Sequence, residues 1–200
     1  MQYLKDEMRK SIVDEALKEF KKNGFKGASI RNIVKFSNTS VGNFYKYFSS
    51  KDDLYENLIG SVYHRLMNIM NQFNITAFDE KTDDIFLRLM ENILEICKDN
   101  NTELAILLNK SEGSKYENCK NAFVGYITNI VSEKISYELA LKERKLKDNF
   151  IIYLISWNLM ESIAIILREK EDGAEIRNLI LEIINVFYNN LTDKLDTVEI

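Results

Sequence analysis

The sequence predicts an all-α protein, and three observations support this prediction. The chain of 200 residues contains no proline, so its composition does not interrupt long helices. No segment alternates apolar and polar residues in the way of a half-exposed strand. Apolar residues instead recur at the spacing of one helix face. The most regular example is Ile176, Leu179, Ile180, Ile183, Ile184, Phe187 and Leu191. We therefore expect about nine helices.

The first helix is predicted over residues 5–22 and ends at Asn23-Gly24, because glycine adopts the left-handed cap without steric cost. Its apolar stripe is Met8, Ile12, Ala16, Leu17 and Phe20. Ser29 is placed to cap a second helix over residues 30–36. Asn38, which tolerates positive φ, predicts a turn. Ser40 is expected to cap a third helix that runs to about residue 47.

The rest of the chain predicts longer helices. Ser50 and Asp53 form a capping box that starts a helix running to about Phe73. Further helices are expected at 79–99, 101–111, 115–141, 147–170 and 174–195. We expect a domain boundary near residue 50, which gives domains 1–50 and 51–200.

Charge divides the chain in the same place. Residues 20–51 contain no Asp or Glu, while the chain as a whole has a net charge of −4. Residues 1–55 hold eleven Lys or Arg against seven Asp or Glu, and residues 56–200 hold sixteen against twenty-four. A basic end on an acidic protein is a candidate surface for nucleic acid phosphates.

Spacing within this basic segment predicts a helix-turn-helix, in which a scaffold helix supports a second helix that reads base edges in the major groove. The residues spaced to share a small core with Ile12, Ala16 and Phe20 are Ile30, Ile33, Val34, Val41, Phe44 and Phe48. The polar residues left outward are Arg31, Thr39, Ser40, Asn43, Tyr45 and Lys46.

These residues resemble the TetR family of transcriptional regulators, also called TetR/AcrR. The family pattern is matched by Ile33, Ser40, Gly42, Tyr45, Tyr47, Phe48, Lys51 and Leu54. The departures are Val34, Phe36, Asn38 and Thr39. The resemblance covers residues 8–58. It implies an N-terminal DNA-binding domain followed by a larger helical domain that binds an effector and dimerises.

The resemblance also implies which residues meet DNA. We expect DNA-binding roles for Ser29, Arg31, Thr39, Ser40, Val41, Gly42, Asn43, Tyr45, Lys46 and Lys51. Tyr45 resembles the family tyrosine that contacts a phosphate, and Lys51 is expected to hold another with the amides at its helix start. Asn43 suits adenine and Lys46 suits guanine, whereas Thr39 and Arg31 are expected to contact the backbone. Tyr47 and Phe48 are interpreted as core aromatics.

Helices 147–170 and 174–195 would form a homodimer by this resemblance. The apolar stretch 150–167 independently favours a helix buried on two sides. It is not expected to span a membrane, because Glu161 and Asn158 lie near its centre. Residues chosen as candidates for an effector pocket are Tyr63, Met67, Met70, Phe86, Met90, Cys97, Phe123, Trp157 and Glu161. For most of them the alternative is ordinary core packing.

Together with this resemblance, the sequence predicts a cytoplasmic transcriptional repressor that binds a palindromic double-stranded DNA operator and is released by a small apolar or amphipathic molecule. An activator, or a regulator controlled by a partner protein, stays open as an alternative. An enzyme is not expected, since there is one histidine, no nucleophile motif and no glycine-rich phosphate loop. No cofactor or metal is expected, and Cys97 and Cys119 are interpreted as core thiols.

Overall fold

A computed structural model describes residues 2–73 and 82–196, apart from the side chains of 2–4, 72–73, 82–89 and 196. In those ranges the regular structure is entirely helical, which confirms the predicted class. The first helices are α1 (Gln2–Gly27), α2 (Ile30–Phe36), α3 (Val41–Phe44) and α4, made of Lys51–Tyr55, a π-helical turn Glu56–Gly60 and Ser61–Phe73. They are followed by α5 (Thr82–Asp99), α6 (Asn101–Asn109), α7 (Cys119–Ala140), α8 (Phe150–Glu169), α9 (Gly173–Tyr188) and α10 (Leu191–Asp196).

The chain packs as two compact units. The first unit comprises residues 1–65 and 100–118, and the second comprises 66–99 and 119–200. The division follows packing, so α6 joins the first unit although it lies far along the chain. A functional boundary near residue 50 stays a prediction.

The core of the N-terminal helices is the one that their apolar spacing predicts. Its fully buried members are Ile12, Ala16, Phe20, Ile33 and Phe44. Phe48 and Val34 are also buried. Val41, predicted for this core, is instead 39% exposed. It is the first residue of α3.

Local capping explains where the short helices begin. The Ser40 hydroxyl accepts a hydrogen bond from the Asn43 amide at 3.1 Å, and Asn38 has φ of 50° as expected. The predicted extension of α3 to Tyr47 is wrong. The amides of Lys46 and Tyr47 bond three residues back, to Asn43 and Phe44, so the chain tightens into a turn after Phe44.

Gly24 ends the regular part of α1, with φ of 69° and ψ of 172°. The next amide, that of Phe25, donates to the carbonyl of Lys110 at 2.8 Å. A Cβ at Gly24 would lie 3.3 Å from that same carbonyl oxygen. The predicted Asn-Gly stop is therefore also a docking point for the segment after α6.

The carboxylate of Glu56, at the start of the π-helical turn, is the centre of a polar cluster in the first unit. It lies 2.7 Å from the Lys115 ammonium and 3.3 Å from His64 Nε2, and it accepts a hydrogen bond from the Tyr116 hydroxyl. Gly60 leaves room for it, because a Cβ there would approach the carboxylate to 2.6 Å. Partial burial raises the pKa of Glu56, but the bonds from Lys115 and Tyr116 outweigh this and lower it overall.

In the second unit α8 packs against α7 and α9, and α9 packs against α5. The predicted helix 174–195 is wrong as a single element, because it divides into α9 and α10 at Asn189 and Asn190. Asn190 has φ of 54°, a conformation that asparagine tolerates better than most residues. The break lets Leu191 turn into a cluster with Ile135, Leu139 and Ile152.

Among the described residues α8 is the helix long and apolar enough to cross a membrane, by length and composition alone. The prediction that it is buried on two sides does not hold within one chain. Phe150 is 63% exposed, Ile165 46% and Leu154 38%. These side chains lie along one face of α8 that the rest of the chain leaves uncovered.

We predict that two glycine substitutions change the stability of the second unit in opposite directions. In Gly173→Ala the new Cβ would lie 2.6 Å from the backbone carbonyl oxygen of Lys98, which cannot move without shifting α5. We expect a loss of about 1–3 kcal/mol in the free energy of unfolding, as for other overpacked sites. Gly125→Ala, which meets nothing within 4 Å on α7, should gain about 0.5–1 kcal/mol. Urea unfolding followed by circular dichroism measures both, and equal effects would contradict the packing described.

The Glu56 cluster predicts an acid-dependent contribution to stability. Its pKa in the folded protein lies below the ordinary value of 4.5, so the stabilisation is fully present above that value and is lost as pH falls through the folded pKa. Glu56→Gln should therefore flatten the fall in unfolding free energy between about pH 5 and pH 3. Thermal unfolding over this range tests it, with the exposed Glu133→Gln as control. Parallel pH profiles for wild type and Glu56→Gln would refute the assignment.

Candidate nucleic-acid interface

The outward face of α3 is held in place by its buried face. Phe44 is fully buried and its ring lies 5.7 Å from that of Phe48. Because these two rings face the core, the intervening residues project outward. Tyr45 is 53% exposed, and the centre of its ring lies 5.4 Å from that of the nearly perpendicular Phe44 ring. Lys46 is also exposed. Both can therefore meet a ligand without any change in the fold.

A hydrogen bond within the chain fixes the direction of the Asn43 side chain. Its side-chain amide donates to the Thr39 hydroxyl at 2.8 Å, and both residues are half-buried. This bond uses one of the two N–H groups of the amide. Ser40, Val41 and Gly42 beside it are exposed. The first turn of α3 thus presents a small polar surface whose central amide already has a fixed direction.

The start of α2 carries two further residues that were predicted to contact DNA. Arg31 is exposed and Ser29 is half-buried. The Ser29 hydroxyl does not form the predicted capping bond. The Ser29 backbone amide instead donates to the carboxylate of Glu19 on α1, at 3.0 Å. Sequence reasoning missed Glu19, and its position inside the apolar stripe of α1 was the available signal.

Lys51 has a structural task that the sequence did not reveal. Its ammonium donates to the carbonyls of Phe25 at 2.7 Å and Ala28 at 3.3 Å. It also lies 4.5 Å from the centre of the Phe25 ring, a cation–π distance. Two of its three donors therefore hold the α1–α2 connection. The phosphate contact expected for Lys51 stays a prediction.

The basic residues of segment 20–51 differ in exposure and in the contacts that they already make. Lys26 forms an ion pair at 2.7 Å with Glu112, and this contact raises the pKa of Lys26. Lys35 lies 5.7 Å from the ring of Phe36, which is itself 63% exposed. Lys21 and Lys22 are exposed. The basic residues nearest the outward face of α3 in sequence, Arg31 and Lys46, are the strongest candidates for DNA.

The effector candidates do not form one group in the described structure. Tyr63 belongs to the first unit, where its ring lies 4.6 Å from that of Tyr116. The other candidates with described side chains belong to the second unit: Met67, Met70, Met90, Cys97, Phe123, Trp157 and Glu161. Met70, Cys97 and Phe123 are buried. The Phe86 side chain lies outside the described residues.

Glu161, a candidate for the effector pocket, forms an ion pair within the chain. Its side chain is 40% exposed and pairs with the Lys120 ammonium at 2.9 Å, so its charge is satisfied within the chain. Burial raises the pKa of the Cys97 thiol to about 12, which makes it unreactive. Among the described residues no group of three His, Cys, Asp or Glu could hold a metal ion.

Comparisons with known proteins agree with this geometry. The sequence pattern of the family described as "Bacterial regulatory proteins, tetR family" matches residues 12–58. The biofilm operon icaADBC negative transcriptional regulator IcaR of Staphylococcus aureus is 23% identical over 190 residues, which cover 90% of this chain and 98% of that protein.

Solved structures share the fold across most of the chain. A TetR family transcriptional regulator from Chloroflexus aurantiacus superposes with a TM-score of 0.53 at 20% identity, covering 96% of this chain and 91% of that one. A gamma-butyrolactone receptor superposes with a TM-score of 0.59 at 12% identity, covering 96% and 97%. The match over residues 12–58 gives the N-terminal helices the sequence pattern of the tetR family of bacterial regulatory proteins, and the solved structures share the fold.

Proposed function

We propose that this protein is a dimeric repressor that binds a palindromic DNA operator through α3 and the start of α2. The observation that carries the proposal is the exposed, acid-free face of α3 above the buried Phe44. Tyr45 and Lys46 supply phosphate and guanine contacts, and the preset amide of Asn43 suits adenine. Such a protein acts on chromosomal DNA, so we place its activity in the cytoplasm.

Repression is the sign of regulation that the comparisons favour. IcaR, which aligns with 90% of this chain, is named as a negative transcriptional regulator. A bound dimer that covers a promoter blocks transcription without further machinery. Activation stays the alternative, and a reporter gene placed behind the bound sequence distinguishes the two.

The partner of α8 in this proposal is a second copy of the chain. Its uncovered apolar side chains include Phe150, Leu154 and Ile165, and α9 adds Val186, which is 66% exposed. A membrane is a poorer match for this face, because Asn158 is exposed and Glu161 half-exposed on the same helix and both are costly in lipid. A dimer supplies two α3 helices, which is what a palindromic operator with half-sites about 34–36 Å apart requires.

We further propose that a small apolar or amphipathic molecule releases the operator. The gamma-butyrolactone receptor with which this chain shares its fold is named for such a ligand. A hundredfold loss of DNA affinity requires about 2.7 kcal/mol of coupling between the two sites. Candidate contacts are the half-buried Met67, Met90 and Trp157 of the second unit. A ligand that leaves the emission of Trp157 and the DNA affinity unchanged does not act in this way.

We predict that Lys46→Ala weakens binding to DNA from upstream of the gene by at least about tenfold, in the range for a lost base contact. The matched control is Lys18→Ala, which removes the same charge from an exposed lysine on α1 that pairs with Glu15. We expect less than about a twofold change there. Fluorescence anisotropy across a salt series measures both variants on the upstream DNA and on a scrambled duplex.

The salt dependence separates the possible roles of Lys46. A pure phosphate contact would lower the slope of log affinity against log salt by about one and weaken both duplexes alike. A base contact would weaken the upstream DNA more than the scrambled DNA. Equal affinities of the Lys46→Ala and Lys18→Ala variants for the upstream DNA would show that Lys46 on the turn after α3 does not contact DNA.

We predict that Ile165→Glu makes the protein monomeric, because the new carboxylate would be buried unpaired between two α8 helices. The control is Leu141→Glu, which changes a side chain that is 71% exposed and lies beyond the end of α7. Analytical ultracentrifugation of the wild type and both variants at micromolar concentration measures the assembly. A dimer that survives Ile165→Glu would show that α8 is not the interface.

A further inference from the structure

Glu19, the last acidic residue before the acid-free segment 20–51, is a buried carboxylate at 8% exposure. One of its oxygens accepts two hydrogen bonds from the start of α2. The donors are the backbone amide of Ser29 at 3.0 Å and the side-chain amide of Asn32 at 3.1 Å. Acidic side chains are almost never this buried unless they are paired, so the contact indicates a specific task.

The arrangement replaces an ordinary capping box. In that motif the third residue of the helix accepts a bond from the amide of the capping residue. Here the third residue is Asn32, which donates to Glu19, and Glu19 accepts from the amide of the capping residue Ser29. The Ser29 hydroxyl, which makes no capping bond, therefore stays available to a ligand.

We propose that Glu19 is a positioning residue for DNA recognition, a role that rests on the function proposed above. By holding the first turn of α2 against α1, it sets the direction of the Ser29 hydroxyl and the exposed Arg31. It also sets α3, because α2 continues into the turn where the Thr39 amide bonds to Val34 at 2.9 Å. Glu19 itself touches no DNA in this arrangement.

Two possible roles of Glu19, as a repelling charge and as a positioning residue, predict opposite effects of its removal on DNA affinity. A carboxylate repels phosphates, so its removal should strengthen DNA binding if only its charge matters. If Glu19 positions α2, its removal should weaken DNA binding in spite of the lost repulsion. Glu15, one turn earlier on α1, is half-buried and paired with the exposed Lys18, and it provides a control that removes the same charge.

The experiment compares Glu19→Leu, Glu19→Gln and Glu15→Gln by fluorescence anisotropy on DNA from upstream of the gene. We expect Glu19→Leu to lose about tenfold in affinity, the effect of a lost hydrogen bond to a charged group. Glu19→Gln keeps an accepting oxygen and should stay within about threefold of wild type. Glu15→Gln should bind as tightly as wild type or more tightly. Wild-type or tighter binding by Glu19→Leu would overturn the proposal.

Amide hydrogen exchange at Ser29 gives a second readout that does not depend on DNA. The exchange rate of this amide should rise in Glu19→Leu and stay low in Glu15→Gln. If Glu19→Leu does not fold, Glu19→Gln replaces it, since the amide keeps the packing but accepts a hydrogen bond more weakly than the carboxylate does. Faster exchange at Ser29 in Glu19→Gln than in wild type supports the arrangement, and unchanged exchange overturns it.

This design separates failure of the positioning role from failure of the proposed function. A wild-type protein that prefers no duplex, tested on DNA from several promoters, would refute operator binding. Ser29 exchange would then still report whether Glu19 holds α2. A wild type that binds specifically, together with a Glu19→Leu variant that binds equally well, would refute only the positioning role.

Discussion

A helix of four residues has no stability of its own, because one turn returns a single hydrogen bond for the backbone angles that it fixes. α3 is such a helix, and it persists because Phe44 is fully buried beneath it. Burial of one phenylalanine side chain contributes about 1.5–3 kcal/mol, several times what one helical turn can supply. The direction of every outward side chain on α3 follows from this one anchor. The basic surface is therefore a consequence of the core below it.

Two charged side chains hold the backbone of the connection between α1 and α2. Glu19 accepts the amide at the start of α2, and Lys51 donates to the carbonyls of Phe25 and Ala28 before α2. A carboxylate accepts from the amides at a helix start and an ammonium donates to backbone carbonyls, so each charge matches the groups that it meets. The connection between α1 and α2 is held from both sides. A charged residue can thus help to position the outward face of α3 without lying on that face itself.

The parts of this fold that sequence could predict are those decided by neighbours in the chain. The stop at Gly24, the positive φ at Asn38 and the cap at Ser40 each depend on one residue type and its local backbone. The roles of Glu19 and Lys51 could not be predicted in this way, because their partners lie ten or more residues away. The break at Asn190 was missed for another reason. The apolar period continues to Leu191, but the helix breaks before that residue, and its side chain packs in a cluster with Ile135 and Ile152.

The two uncovered surfaces of the chain require partners of different chemistry. The face of α8 is apolar, and water exclusion by a second copy of itself satisfies it without any charge complement. The basic N-terminal segment requires an anion, and the remainder of the chain is acidic, since residues 56–200 hold sixteen basic against twenty-four acidic residues. A polyanion is therefore attracted to one end and repelled by the rest. In the proposed two-fold dimer, DNA that contacts both basic segments together would match the two half-sites of the proposed palindromic operator.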